Sequence, residues 1–195
     1  MDRLPIRRAI LSVTDKTGLT DFATFLVGKN VEIVSTGGTQ RVLEEAGIPV
    51  TKVSTVTSFP EILGGRVKTL HPHIHAGILA NKDLPEHLQT LSDLGIKPFD
   101  LVCVNLYDFA QAVEHDLPLE QAVEEIDIGG PCMLRAAAKN FHSVLVVPSP
   151  EWYAAVEEEM SLDGCIGLEF RQKLASRAFD QTSRYDALIT SYLRP

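Results

Sequence analysis

Hydroxyl groups, glycines and cations are concentrated in three short segments of the chain, residues 12–18 (SVTDKTG), 35–39 (STGGT) and 64–72 (GGRVKTLHP). The first two lie between an expected strand and an expected helix, where free backbone amides, hydroxyls and a lysine can bind an anion. In the third, Arg66 and Lys68 offer a guanidinium fork and a point charge to the same anion. Taken singly, these segments could be a helix cap, a glycine turn and a solvated basic loop. Two such junctions in one chain favour a shared phosphate site, although neither matches GxGxxG or the Walker A sequence.

Groups that could move protons occur further along the chain. Asp127 stands between apolar neighbours in the segment IDIGGP, and Tyr107 follows an apolar strand. Arg135 and Lys139 are four residues apart and therefore share one face of an expected helix. Tyr107 could equally cover the edge of the core, and the two cations could form a solvated face. Together with the anion-binding loops, these residues suit proton transfer and charge stabilisation on a phosphorylated small molecule.

Histidines and cysteines give weaker signals. His71, His73 and His75 would point to one side if residues 72–76 were extended, as in a metal site. No second cluster supplies a further ligand, so substrate contact or a structural role is favoured and no metal is expected. The three cysteines form no CxxC pair, and Cys132 is expected to pack rather than react.

Alternation of apolar strands with amphipathic helices predicts an α/β fold, with a mostly parallel sheet and helices on both faces. Strands are expected at 9–13, 31–34, 49–53, 75–79, 100–105 and 143–147. Helices are expected at 19–27, 42–46, 84–94, 119–126, 133–139, 151–160 and 167–193. Residues 57–72 form a long loop, and loops of that length in a compact domain are usually functional. Ligands of such sheets bind where strands lead into helices.

Composition limits the classes of function. The chain has 195 residues, of which 45% are hydrophobic and 23% are charged, so a single domain spanning 1–195 is expected. The net charge of −8 disfavours nucleic-acid binding. Apolar runs are too short to span a membrane and the first residues lack a leader pattern, which together predict a cytoplasmic protein.

Six segments, in the order SVTDKTGL, STGGT, GGRVKTLHP, NLY, IDIGGP and LRAAAKN, closely resemble the inosine monophosphate (IMP) cyclohydrolase domain of a bifunctional purine-biosynthesis enzyme. The resemblance runs from about Arg8 to Leu193. It implies a methylglyoxal synthase-like fold and a hydrolase of the cyclic-amidine class. The implied reaction is ring closure of 5-formamidoimidazole-4-carboxamide ribonucleotide to IMP with loss of water, the last step of de novo purine synthesis. It also implies a homodimer and no cofactor.

The resemblance assigns roles to individual residues. Lys68 matches a cationic stabiliser and Lys139 a catalytic lysine, while Asp127 and Tyr107 match the residues that complete a proton-transfer network. Asp127 also matches a position beside the base. The matched nucleotide-binding positions are Thr14, Asp15, Lys16, Thr36, Gly37, Gly38, Thr39, Arg66, Val67, Thr69, Asn105 and Ile128. Two positions depart from the family pattern: Asp108 stands where many relatives have Pro, and Cys132 stands where Thr is common.

In the family, a formyl-transferring domain would begin where this chain reaches Pro195. Folate binding and formyl transfer are therefore expected to be absent, with a separately encoded transformylase as a candidate partner. Two alternatives share the implied fold. Methylglyoxal synthases have Asp after the second Gly-Gly pair, where this chain has Arg66. A regulatory nucleotide sensor, like the one in carbamoyl phosphate synthetase, would not need Lys68, Asp127 and Lys139 together.

Overall fold

A computed structural model of the chain describes residues 1–115 and 117–194. Its centre is a five-stranded parallel sheet in the order β4-β3-β2-β5-β6. The strands are β2 (Arg8–Ser12), β3 (Glu32–Ser35), β4 (Thr51–Lys52), β5 (Leu101–Val104) and β6 (Leu145–Val147). Two further strands, β1 (Arg3–Pro5) and β7 (Cys165–Gly167), pair antiparallel in a separate two-stranded sheet.

Helices flank the central sheet. They are α1 (Leu19–Gly28), α2 (Gly37–Glu45), α3 (Val53–Thr57), α4 (Pro72–Leu79), α5 (Pro85–Asp93), α6 (Phe109–Glu114), α7 (Leu119–Glu124), α8 (Gly129–Lys139), α9 (Tyr153–Ser161) and α10 (Leu168–Tyr192). Every residue of β5 and β6 is buried, as expected for parallel strands covered on both faces. Helix α8 packs against α4, α10 and these two strands, whereas α1 packs against α2 and α9. The predicted α/β class with a parallel sheet is confirmed.

The segment predicted as a strand at 75–79 is wrong, because it belongs to helix α4. Pro72 occupies the first turn of that helix, where a missing N–H costs nothing. His71 caps the helix, because its Nδ1 accepts a hydrogen bond from the backbone N–H of His73 at 3.1 Å. Alternate residues of a helix point to different faces, so the shared side predicted for the three histidines is also wrong. Within the described residues, no three His, Cys, Asp or Glu side chains are grouped to hold a metal ion.

One buried polar group secures elements that are distant in sequence. Arg171 of α10 is 0% exposed and donates hydrogen bonds to the carbonyl oxygens of Phe141, His142, Ile166 and Met1. These bonds join the C-terminal helix to the first residues of the chain. No helix in the described part of the chain is long and apolar enough to cross a membrane.

Candidate functional site

A cavity of about 840 Å³ opens at the carboxyl end of the parallel strands, within the size range of small-ligand sites. Its walls come from the loops after β2, β3 and β5, from the long loop before α4, and from the region where α7 leads into α8. The sequence-predicted residues that line it are Thr14, Lys16, Thr36, Gly38, Thr39, Arg66, Val67, Lys68, Thr69, Asn105, Tyr107, Asp127 and Ile128. The structure therefore brings together most of the residues that the motifs singled out.

Asn105, at the end of β5, braces the loop after β2. Its Oδ1 accepts hydrogen bonds from the backbone N–H groups of Thr14 (2.6 Å) and Asp15 (3.0 Å), and its Nδ2 donates to the Asp15 carbonyl (2.9 Å). Asp15 itself does not line the cavity. Its carboxylate accepts from the Thr17 N–H at 2.9 Å, and hydrogen bonding from Thr17 lowers the pKa of Asp15. Asp15 shapes this loop instead of facing the cavity.

Thr39 joins the first two loops to each other. Its hydroxyl accepts from the Val13 N–H and donates to the Val13 carbonyl, both at 2.9 Å. Lys16 extends toward α2, and its Nζ donates to the Thr14 carbonyl at 3.1 Å. That Nζ lies 3.8 Å from the position that a Cβ on Gly38 would take. The cation is thus held at the amino end of α2.

Lys68, from the long loop, also lies at the amino end of α2. Its Nζ lies 3.5 Å from the position that a Cβ on Gly37 would take, and Gly37 has a φ of +56°, which favours glycine. No side chain in the described part of the chain caps the first turn of α2. Two ammonium groups and an uncapped helix start together provide strong anion-binding potential.

Asp127 lies across the cavity, immediately before α8. Its Oδ1 accepts from the Gly130 N–H at 2.9 Å, and a Cβ on Gly130 would stand 2.2 Å from its Oδ2. A Cβ on Gly129 would similarly stand 2.7 Å from the Thr69 hydroxyl. The glycine pair is therefore required for the carboxylate and the hydroxyl to fit at this helix start.

Burial raises the pKa of Asp127, while hydrogen bonding from Gly130 and the nearby charge of Lys68 act in the opposite direction. A carboxylate whose pKa is raised and which faces a lysine in a cavity is a candidate general base. Tyr185 of α10 fixes the backbone of this acid. The Asp127 N–H donates to Tyr185 Oη at 2.8 Å, and that hydroxyl donates to the Glu125 carbonyl at 3.4 Å.

Arg66 and Tyr107 stand at the mouth of the cavity. Arg66 is paired with Glu124 at the end of α7, its Nε lying 3.0 Å from Glu124 Oε2. Tyr107 is 39% exposed, so it borders the opening and does not fill the core. Both residues can reach a ligand that enters from solvent.

Lys139 is the catalytic prediction that the structure does not bring into the cavity. It is the last residue of α8 and is exposed, ten residues beyond Gly129. At 1.5 Å per residue, that separation is about 15 Å along the helix axis. Arg135 is exposed too, with its guanidinium 5.4 Å from the centre of the Phe179 ring. Within a single chain both cations form a solvated face, and a catalytic role for Lys139 stays a prediction.

Sequence reasoning missed three residues that shape the site: Tyr185, Glu124 and Glu61. Glu61 accepts a hydrogen bond from the Thr36 hydroxyl at 2.7 Å. In the sequence, nothing distinguishes Tyr185 from the other residues on the apolar face of a long helix. The acidic partners of Thr36 and Arg66 lie 25 and 58 residues away from them, so no local pattern reveals these contacts.

Two protein-family models match parts of this chain. Residues 18–132 match the model of the MGS-like domain, and residues 137–195 match that of the AICARFT/IMPCHase bienzyme. The chain belongs to the MGS-like domain family. The fold inferred from the motifs, and the resemblance itself, are thereby confirmed.

Curated relatives point the same way. The chain is 53% identical over 189 residues to the bifunctional purine biosynthesis protein PurH of Ligilactobacillus salivarius, covering 96% of this chain and 37% of that protein. It is 53% identical over 192 residues to the PurH of Mycobacterium marinum, covering 98% of this chain and 36% of the relative. The chain thus spans little more than a third of the length of these relatives.

A solved structure shares the whole architecture. The crystal structure of ForH superposes with a TM-score of 0.82 at 33% identity, covering 95% of this chain and 97% of that one. The arrangement of strands and helices described above is therefore also found in an experimental structure.

Proposed function

We propose that this chain is an IMP cyclohydrolase, which closes the ring of 5-formamidoimidazole-4-carboxamide ribonucleotide to give IMP and water. The observation that carries the proposal is that one cavity holds an anion-binding end, at α2, and a buried carboxylate, Asp127, with the cation Lys68 near it. The similarity to PurH proteins supports the same reaction.

The anion-binding end suits the substrate's phosphate. Lys16, the first-turn amides of α2 and the Thr36 hydroxyl surround the uncapped helix start. Phosphate at a helix amino end gains from both the amide donors and the helix dipole. The base would then extend along the cavity toward Asp127 and Ile128.

The chemical step joins two groups on the same imidazole ring. The carboxamide nitrogen forms a bond to the formyl carbon while it loses a proton, and the formyl oxygen gains a proton to become a hydroxyl. That hydroxyl then takes up a further proton and departs as water, while the formamido nitrogen loses its proton and the ring becomes aromatic. No electrons are exchanged with another molecule, so the reaction needs no redox partner.

In this scheme Asp127 accepts the proton from the carboxamide nitrogen. Its burial makes it a stronger base than an exposed carboxylate, because the ionised form is less stable there. Lys68 stabilises the negative charge that gathers on the formyl oxygen, and Tyr107 donates a proton from the mouth of the cavity. Lys139 takes no part in this scheme within one chain, because it lies at the far end of α8.

Turnover of the formamido ribonucleotide, followed by ultraviolet absorbance as the purine ring closes, tests the proposal. Wild type is compared with Lys68→Ala and with Lys97→Ala, which removes an exposed lysine at the opposite end of the sheet. We expect rapid closure in wild type and in the Lys97 variant, and a loss of about 100-fold or more in folded Lys68→Ala. Wild-type closure at the uncatalysed rate would refute the cyclohydrolase, and methylglyoxal formed from dihydroxyacetone phosphate would favour the synthase.

Three other expectations from the sequence accompany this proposal. We expect residues 1–195 to behave as one domain, the chain to form a homodimer, and the protein to act in the cytoplasm. Light scattering measures the oligomeric state, and a single cooperative unfolding transition is the sign of one domain.

A further inference from the structure

The loop before α4 is secured across the cavity at two points. We name residues 58–67 the strap. Ile62 and Val67 close it with two backbone hydrogen bonds of 3.2 and 3.4 Å. Two of its non-glycine residues, Ser58 and Leu63, have φ angles of +52° and +54°, in the left-handed region. Such conformations persist only where surrounding contacts hold them.

One contact lies at the mouth of the cavity. Arg66 of the strap and Glu124 of α7 both line the cavity and form a two-pronged ion pair. Their side chains are 64% and 53% exposed. An exposed pair of this kind contributes little to stability, so another anion can replace the carboxylate at small cost. Glu124 therefore occupies the guanidinium that an anionic ligand would use.

The other contact lies at the amino end of α2. The Thr36 hydroxyl, on a residue that is almost fully buried, donates its single proton to Glu61 Oε1 at 2.7 Å. While that bond persists, Thr36 cannot donate to a ligand. Thr36 immediately precedes the uncapped first turn of α2, which has no acidic residue of its own. A carboxylate from the strap thus engages a donor at the anion-binding end.

We propose that Glu124 and Glu61 are specificity-determining residues: internal anions that hold Arg66 and Thr36 until a ligand's phosphate displaces them. The proposal rests on the proposed function in that the ligand is a phosphorylated ribonucleotide. A phosphate dianion can compete with the carboxylate for either donor, whereas a neutral nucleoside has no charge with which to do so. The carboxylates therefore select for ligands that carry phosphate, at the expense of some affinity.

Isothermal titration of the full chain with IMP, inosine and inorganic phosphate tests this competition. The proteins are wild type, Glu124→Gln, Glu61→Gln and the control Glu120→Gln, which removes the same charge from the exposed first turn of α7. We expect Kd for IMP and for phosphate to fall about two- to fivefold in Glu124→Gln and Glu61→Gln, the scale of an exposed ion pair. Binding of inosine should stay within twofold of wild type in every variant.

Several results would overturn the proposal. Weaker binding of IMP by Glu124→Gln would show that Glu124 supports the bound state. If Glu120→Gln tightened IMP binding equally, the change in overall charge alone would explain the effect. Equal tightening of inosine would show that phosphate is not the competing group. If neither IMP nor phosphate binds wild type or the Glu124 variant, the internal-anion role is also refuted.

Turnover measured on the same samples separates this inference from the proposed function. Wild type that binds IMP but closes no ring would refute the cyclohydrolase, and the ratios of Kd among the variants would still decide the role of Glu124 and Glu61. Wild type that closes the ring, with no change in affinity among the variants, would refute the internal anions alone.

Discussion

The two ends of the parallel sheet use charged residues in opposite ways. At the amino end, Asp100 accepts from the N–H groups of Arg7 and Arg8 at 2.8 and 2.9 Å and contacts the Lys82 ammonium. Lys82 also donates to the Phe99 carbonyl at 2.8 Å, and its side chain is only 8% exposed. At the carboxyl end, Lys16, Lys68 and Asp127 surround an open cavity.

This difference separates stability from function. Burial lowers the pKa of Lys82, with Asp100 acting in the opposite direction, just as burial raises the pKa of Asp127. A shifted pKa therefore does not by itself identify a reactive group. What distinguishes Asp127 is the ligand-sized cavity that it lines, whose described lining includes neither Lys82 nor Asp100.

The largest expected effect is at the carboxyl end. Asp127→Asn keeps the shape and the acceptor for the Gly130 N–H but removes the base. We expect kcat for ring closure to fall about 100- to 10,000-fold, the range of general-base catalysis. The unfolding temperature should change little. A folded variant with wild-type kcat would remove Asp127 from the mechanism.

The pH profile of wild type examines the same group. Asp127 must be ionised to accept a proton, so kcat should rise with pH through its pKa. Since burial raises that pKa, the half-maximal pH should lie above the ordinary aspartate value of about 3.9. A rate that stays constant down to that pH would contradict this assignment.

At the amino end of the parallel sheet, a substitution should reduce stability and leave catalysis unchanged. Asp100→Asn leaves the Lys82 ammonium buried without its counter-charge, which should cost about 3–5 kcal/mol of unfolding free energy. Denaturant unfolding measures the loss, and kcat at 25 °C should not change in the folded fraction. Asp83→Asn is the control, because Asp83 pairs with the exposed N-terminal ammonium and should cost under about 1 kcal/mol.

A substitution at Gly130 links packing to catalysis. Gly130→Ala places a Cβ 2.2 Å from Asp127 Oδ2 and 3.0 Å from a methyl group of Leu106, so the carboxylate must move. We expect at least a tenfold loss of kcat and a destabilisation of about 1–3 kcal/mol. Gly28→Ala, where the new Cβ meets nothing within 4 Å, should leave kcat unchanged and stability equal or slightly higher.

Tyr185→Phe should have a smaller effect, because it acts through the backbone that carries Asp127. Burial raises the pKa of Tyr185 to about 12, so its hydroxyl stays neutral and keeps both hydrogen bonds at working pH. Losing them should cost about 1 kcal/mol of stability and reduce kcat about three- to tenfold. A shifted acid limb in the pH profile would show that the hydroxyl positions Asp127. An unchanged profile would mean that it only stabilises the fold.

Lys139→Ala should have the smallest effect. The residue is exposed and lies about 15 Å along α8 from Gly129, which lines the cavity. If each cavity uses residues of its own chain alone, we expect kcat of the variant to stay within twofold of wild type. Turnover beside folded Lys68→Ala measures the contrast between the two lysines. Loss of activity in folded Lys139→Ala would instead support the role that the motif resemblance implies, and would require Lys139 to reach a cavity other than that of its own chain.

Much of the fold could be read from local patterns. The apolar runs that became β2, β5 and β6 are buried on both faces, which leaves a continuous hydrophobic signal. The run at 75–79 was ambiguous because a short apolar segment suits a strand or a buried helix equally. The three-residue strands β1 and β7 carry no periodic signal, and they form only by pairing with each other across the chain.

The cavity was predictable for a related reason, because parallel strands place their following loops at one edge of the sheet. The side chains that adjust those loops were not predictable. Tyr185 reaches Asp127 across 58 residues, and Glu124 reaches Arg66 across the same separation. Such contacts depend on how helices pack, which no local spacing encodes. The same limit applies to the motif RAAAKN: Lys139 lies at the end of α8 that is remote from the cavity of its own chain, and its catalytic role stays a prediction.

The guanidinium of Arg171 has a consequence for synthesis on the ribosome. It binds the carbonyl oxygen of Met1, 170 residues earlier, and the neighbouring strand pair joins residues 3–5 to residues 165–167. Residues 3–5 can therefore reach their native partners only after residues 165–167 have been made. Until then β1 has no strand to pair with, and the parallel sheet must form without it. Residues 3–5 thus stay without their partner strand, within reach of chaperones and proteases, for as long as the intervening residues are being made.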